Sequence, residues 1–127
     1  MFQLSVKMQF SAAHYLEGYQ GKCQRLHGHN WEVAALVSGP YLDDLGMVID
    51  FGDLKRLLGE VLDGLDHRHL NEIDAFSSDN PTAENIARHI YRHLKEKLAA
   101  FRPEVRLESI EVWETPGCSI LYEEAER

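Results

Sequence analysis

Phe2, Leu4, Val6, Met8 and Phe10 alternate with Gln3, Ser5, Lys7 and Gln9. A two-residue period puts all five apolar side chains on one face and predicts a half-buried first strand. From His14 to Arg25 the period is lost, and Gly18 and Gly21 interrupt a run that reads as a loop. Alternation returns with His27, His29, Trp31, Val33, Ala35 and Val37 on one face, until Ser38-Gly39-Pro40 stops the strand. Beyond a turn through Leu42-Asp43-Asp44 the spacing changes. Leu54, Leu57, Leu58, Val61, Leu62 and Leu65 recur at helical intervals, with Asp50 placed as N-cap and Asp53 as a first-turn acid. A second helix is predicted after Pro81, capped by Thr82, with Ile86, Ile90, Leu94 and Leu98 on its apolar face. Arg102-Pro103 ends it, because proline disfavours a helical residue before it. Two further strands, near 105–115 and 119–123, flank Pro116-Gly117. Two strands, two helices and two strands predict an α+β domain with antiparallel pairs and both helices on one face. The other face and the sheet edges then need cover or a partner.

Composition narrows the function classes. A chain of 127 residues fits one domain, spanning 1–127. It can bury roughly two-thirds of its unfolded surface and needs no disulfide or metal merely to fold. Lys and Arg total 13 against 21 Asp and Glu, a net charge of −8 with neutral histidines, which argues against a nucleic-acid backbone as partner. No apolar run approaches the ~20 residues of a membrane span, so no membrane partner is expected. The N-terminus has neither the basic start nor the apolar block of a signal peptide, which makes the cytoplasm the expected compartment. Cys23 and Cys118 have no C-x-x-C spacing and read as free thiols. The chemistry is left to the histidines, of which His14, His27, His29, His67 and His69 fall in the first 69 residues.

His27-Gly28-His29 carries the strongest signal. Residues i and i+2 of a strand project from the same face, so both imidazoles can reach one ion. His14, at the end of the first strand, comes near them if the two strands form a hairpin. Three neutral imidazoles suit a zinc centre whose fourth position is open; nickel, copper or iron accept the same set. A His-x-His whose rings are merely hydrated is the bland alternative.

Cys23 precedes His27 with three residues between them, and three readings are open: a fourth ligand, a catalytic thiolate, or a small buried apolar residue. Flanking Lys22 and Arg25 favour the thiolate in either of the first two roles. Asp66-His67 follows the first helix; adjacency does not make a dyad, yet a carboxylate orienting an imidazole that works on a thiol is a general-base arrangement. Glu114 ends an apolar strand face after Ile110 and Val112, either solvated or placed for a cationic or amide-bearing ligand. His89 and His93 read as surface residues, and Glu123-Glu124-Ala125-Glu126 as a solvated tail.

Together these pieces resemble the 6-pyruvoyltetrahydropterin synthase family, and most of all its bacterial branch. The resemblance rests on Phe-Ser-Ala-Ala-His (10–14), Cys-Gln-Arg-Leu-His-Gly-His-Asn (23–30) and Gly-Met-Val-Ile-Asp-Phe (46–51). It extends through Leu-Asp-His-Arg-His-Leu-Asn (65–71), Pro-Thr-Ala-Glu-Asn (81–85) and Trp-Glu-Thr-Pro (113–116), in the family's order. It implies His14, His27 and His29 as zinc ligands, Cys23 as the catalytic cysteine, and His67 with Asp66 as the proton relay. Glu114 corresponds to the glutamate that anchors the pterin and, in the bacterial branch, joins the relay. Thr82 falls where the family's backbone meets the pterin.

The implied fold is the tunnelling fold: an antiparallel four-stranded sheet with two helices in the order ββααββ. Its homo-oligomers are trimers, usually paired into hexamers, with active sites between subunits. The implied substrate is 7,8-dihydroneopterin triphosphate, for which Lys22 and Arg25 are nearby cations. The bacterial branch yields 6-carboxy-5,6,7,8-tetrahydropterin, acetaldehyde and triphosphate for queuosine and other 7-deazapurines; the animal-type synthase keeps the side chain as a pyruvoyl group. The short spacing from Cys23 to His27 is the bacterial pattern, since the animal type carries a longer insert. A non-catalytic pterin- or metal-binding module of the same fold is the reading from another class.

Overall fold

The computed structural model describes residues 1–19 and 21–125. Strand β1 (Phe2–His14) and strand β2 (His27–Gly39) pair antiparallel along their whole length, from Phe2 opposite Gly39 to His14 opposite His27. Helix α1 (Phe51–Asp63) follows, then a two-residue strand β3 (Arg68–His69) and helix α2 (Ala83–Phe101). Strands β4 (Arg106–Thr115) and β5 (Cys118–Tyr122) complete a sheet of order β3-β1-β2-β4-β5.

The four long strands and two helices are those the periodicity predicts. The fifth strand is an addition: Arg68 and His69 lie parallel to Ala12 and Ala13 of β1. Two residues are too short to show a period. They follow His67, which adopts the left-handed φ of 56°, uncommon for a residue with a side chain.

Both helix caps form as expected. Asp50 Oδ1 accepts from the backbone N–H groups of Gly52 and Asp53, and the Thr82 hydroxyl accepts from Asn85 N–H. Leu54, Leu57, Leu58, Val61 and Leu62 of α1 and Ile86, Ala87, Ile90, Tyr91, Leu94 and Leu98 of α2 are buried. They cover one sheet face, where Val6, Phe10, Trp31, Val33, Ala35, Val37, Ile110 and Val112 are also buried. Each fully buried leucine or isoleucine contributes about 2 kcal/mol of transfer free energy. Gly39 does more than end β2: a Cβ there would stand 2.7 Å from Val48 Cγ1, so a larger residue would force the buried Val48 side chain to shift.

No helix among the described residues is long and apolar enough to cross a membrane. Two sheet edges stay open: β5 pairs only with β4, and β3 covers β1 only at Ala12 and Ala13. The acidic end departs from a solvated tail. Glu124 accepts from the Tyr122 hydroxyl at 2.7 Å and from Arg92 Nε at 3.3 Å, because the strand delivers it beside the cations of α2. Glu126 lies outside the described residues.

Candidate metal centre and its surroundings

The β1–β2 pairing sets His14 opposite His27 and Ala12 opposite His29, which brings three imidazoles to one end of the sheet. The ring centroids of His14 stand 4.6 Å from His27 and 5.3 Å from His29, and those of His27 and His29 are 4.8 Å apart. Glu114, at the end of β4, joins them: one ligand atom from each of His14, His27, His29 and Glu114 falls within 4.8 Å of every other.

Hydrogen bonding fixes which nitrogens face the centre. His14 Nδ1 lies 2.7 Å from the Pro81 carbonyl, and His27 Nδ1 lies 2.7 Å from the Arg25 carbonyl. A carbonyl only accepts, so each Nδ1 carries the proton and each Nε2 keeps its lone pair. His14 Nε2 and His29 Nε2 are buried without a hydrogen-bond partner. His29 Nε2 is 3.0 Å from Glu114 Oε1, and His14 Nε2 is 4.0 Å away, but neither contact has the geometry of a hydrogen bond. Lone pairs that converge without bonding one another are co-ligands in need of a cation.

Burial is the largest effect on His14 and His29, and pushes both below the usual histidine range. The neighbouring His27 imidazole adds to the lowering, while the Glu114 carboxylate opposes it. Both rings are thereby held neutral, the form that ligates metal. Trp31 forms the wall behind them. Its ring meets His14 at 5.0 Å and His29 at 5.3 Å, both edge-on, and its Nε1–H donates to the Ala12 carbonyl at 3.3 Å. Three imidazole nitrogens and one carboxylate oxygen fit a divalent first-row ion.

The remaining candidates lie at the margin. Cys23 sits in a short 3-10 turn, Lys22–Gln24, partly exposed, and does not belong to the four-residue cluster, whose fourth member is Glu114. Asp66 and His67 do form a pair: Asp66 Oδ2 lies 2.9 Å from His67 Nδ1, while Oδ1 accepts from Ser11 N–H at 2.9 Å. The Ser11 bond, followed by the one to His67, holds the Asp66 carboxyl below the usual carboxylate range. The His67 side chain is 81% exposed and lines, with Ser11, His29, Asn30 and Arg68, a cleft of about 480 Å³. Cys23 is not part of that lining. Thr82 caps α2 and follows Pro81, whose carbonyl holds His14.

Sequence reasoning missed the Pro81 carbonyl, since a main-chain acceptor 67 residues from His14 leaves no trace in residue type. It also placed Glu114 only beside a ligand, not among the metal-ligating atoms. Register across β4 and β2, with Trp113 opposite Glu32, is what swings Glu114 toward the histidines.

Convergent imidazole lone pairs and a carboxylate at the end of a helix-backed sheet define a candidate metal centre in an α+β domain. The sequence pattern of the 6-pyruvoyl tetrahydropterin synthase family matches residues 3–125, and the chain belongs to that family. It is 34% identical to the 6-carboxy-5,6,7,8-tetrahydropterin synthase of Haemophilus influenzae, over 98% of this chain and 100% of that protein. Against the enzyme of the same name from Synechocystis the identity is 38%, over 96% and 93% of the two chains. The structure of Caenorhabditis elegans 6-pyruvoyl tetrahydropterin synthase superposes with a TM-score of 0.87 at 30% identity, covering 98% of this chain and 96% of that one.

Proposed function

We propose that this protein is a zinc-dependent lyase that converts 7,8-dihydroneopterin triphosphate to 6-carboxy-5,6,7,8-tetrahydropterin, releasing acetaldehyde and triphosphate. The observation that carries the reading is the set of orphaned imidazole Nε2 atoms converging on one point, with Cys23 in the adjacent turn. Similarity to relatives named 6-carboxy-5,6,7,8-tetrahydropterin synthase supports the carboxylated product.

His14, His27 and His29 would hold the ion. Bound there, zinc supplies Lewis-acid polarisation of the substrate's side-chain oxygens and stabilises negative charge that develops on them. The rest belongs to the chain. Glu114 accepts hydrogen bonds from the pterin's N–H groups and orients the ring over the histidines. Cys23, as thiolate, takes a proton from the side chain. His67, held by Asp66 through Nδ1, gives and receives protons at Nε2, and the exposed ring can reach substrate across a subunit boundary. Thr82 and its neighbours contribute backbone contacts to the pterin. The open edges of β1 and β5 fit a homo-oligomer, trimer or hexamer, whose closed sheets leave no edge free. The cytoplasm, where queuosine and other 7-deazapurine precursors are assembled, is the fitting compartment.

Retention of the side chain as a pyruvoyl group is the second reading, favoured by the likeness to the C. elegans synthase. Mass spectrometry of zinc-loaded protein with 7,8-dihydroneopterin triphosphate tests both. A carboxytetrahydropterin with acetaldehyde supports the first reading, and a pyruvoyl product replaces it with the second. Zinc binding without conversion leaves only a binding module.

A further inference from the structure

Past His14 the chain leads into a turn at Glu17-Gly18, and the backbone of residues 15–17 is held on its two sides by different groups. On the outer edge, Tyr15 N–H donates to Asn71 Oδ1 at 3.0 Å, and Asn71 Nδ2 donates back to the Tyr15 carbonyl at 2.9 Å. Two residues on, Asn80 repeats the pattern: Glu17 N–H donates to its Oδ1 at 2.8 Å, and its Nδ2 donates to the Glu17 carbonyl at 2.9 Å. A primary amide carries the same acceptor and donor as a peptide group. Each asparagine therefore stands in for a residue of a partner strand, at the two-residue interval at which a strand presents its backbone to one edge. They continue the line that β3 begins on Ala12 and Ala13.

Leu16, between them, faces the other edge, and its N–H donates to the Cys23 carbonyl at 2.8 Å. Among the described residues, the turn's other backbone–backbone bonds are internal, Gln24 N–H to the Gly21 carbonyl and Arg25 N–H to the Lys22 carbonyl, while the Arg25 carbonyl accepts from His27 Nδ1. Among the described residues, the Leu16 bond is the backbone tie that fastens this turn to the fold. Asn80 is itself anchored, its carbonyl accepting from Thr82 N–H and from Asn85 Nδ2 at the start of α2.

We infer that Asn71 and Asn80 are positioning residues for Cys23. By clamping Tyr15 and Glu17 they aim the Leu16 N–H at the Cys23 carbonyl and fix the thiol relative to the metal centre. The inference rests on the reading of Cys23 as the working thiolate. Its structural part, that the clamps set where the thiol sits, is separately measurable.

The experiment uses metal-loaded Cys118→Ser protein, in which Cys23 is the remaining thiol, and compares it with Asn80→Ala, Asn80→Asp and Asn71→Ala in that background. Amide exchange at Leu16 and Glu17, the pH profile of Cys23 alkylation by iodoacetamide, bound metal and pterin turnover are measured. In Asn80→Ala, Glu17 and Leu16 amides should exchange about fivefold faster for each bond lost. The alkylation profile should move, and kcat should fall about 10- to 100-fold with little change in KM. Metal content should hold, since His14 keeps its Pro81 and Trp31 contacts. Asn80→Asp keeps the acceptor for Glu17 N–H and should recover part of the loss. Alkylation and exchange in Asn80→Ala that match the parent would overturn the inference. If Asn80→Ala fails to fold, Asn71→Ala and Asn80→Asp decide the same question. If the parent itself does not turn over the pterin, the proposed activity fails, while alkylation and exchange still judge the clamps.

Discussion

His89 gives a stability prediction whose size follows from its setting on α2. The ring packs 5.4 Å from Phe76 and 4.2 Å from His93, over a small cavity that Asp79, Arg88 and Arg92 also line. Burial, and after it the neighbouring imidazole, pushes the His89 side chain from its ordinary 6.5 down to about 4. The folded form thus binds a proton more weakly than the unfolded chain does. Stability from this residue is fully present above pH 6.5 and is lost as pH falls through about 4. With those two values the loss reaches about 2 kcal/mol at pH 5 and on the order of 3 kcal/mol once both states are protonated. Replacing His89 with glutamine keeps a polar side chain and removes the titration. Guanidinium unfolding at pH 8, 6 and 5, at one protomer concentration, should show the parent losing about 2 kcal/mol more than the variant between the extremes. Parallel pH curves for the two proteins would refute the burial argument, whatever their absolute stabilities.

Other predictions concern the site more directly. Cys23→Ala should bind metal at the parent stoichiometry and lose pterin turnover; metal loss on that substitution would make Cys23 a ligand. His27→Ala should lose both, read by metal analysis and product formation. Chelation of a metal-loaded sample should lower the thermal midpoint, since the converged imidazoles bind the ion only in the folded state; an unchanged midpoint would mean the centre is not loaded. Asp50→Ala should cost about 1 kcal/mol in denaturant unfolding, because two N-terminal N–H groups of α1 lose their acceptor.

What was legible in the sequence is what periodicity and side-chain type encode. Alternation in Phe2–Phe10 and His27–Val37 marked two strands and placed His27 and His29 on the buried face beside Trp31. Helical spacing with Asp50 and Thr82 ahead of it located both helices by their caps. The candidate ligands His14, His27 and His29 came from the same pattern, because a hairpin that keeps the apolar faces together has to bring the end of β1 to the start of β2. What stayed hidden has no periodic signature. β3 follows one left-handed residue, His67, and His89 is partly covered by Phe76, which reaches it from a separate turn. Polar neighbours such as Arg88 and Arg92 mark a helix face as solvated only when nothing folds over it.

Glu114 shows how a site can be richer than its motif. In isolation a carboxylate closing an apolar strand face reads as solvated or as a ligand anchor. In the fold its oxygen lies 3.0 Å from His29 Nε2 without hydrogen-bond geometry, near enough to share an ion with the imidazoles. Under the proposed function, a carboxylate beside the centre could exchange that contact for one with substrate. In that arrangement Glu114 would shield the histidines' centre while the site is empty and turn to the pterin's N–H groups when substrate arrives. Under the proposed function, Cys23, outside the ligand cluster, would keep its sulfur for proton transfer. That division of labour would account for a cluster of three imidazoles and a carboxylate with no thiolate among them: a thiolate bound to an ion would be lost as a base.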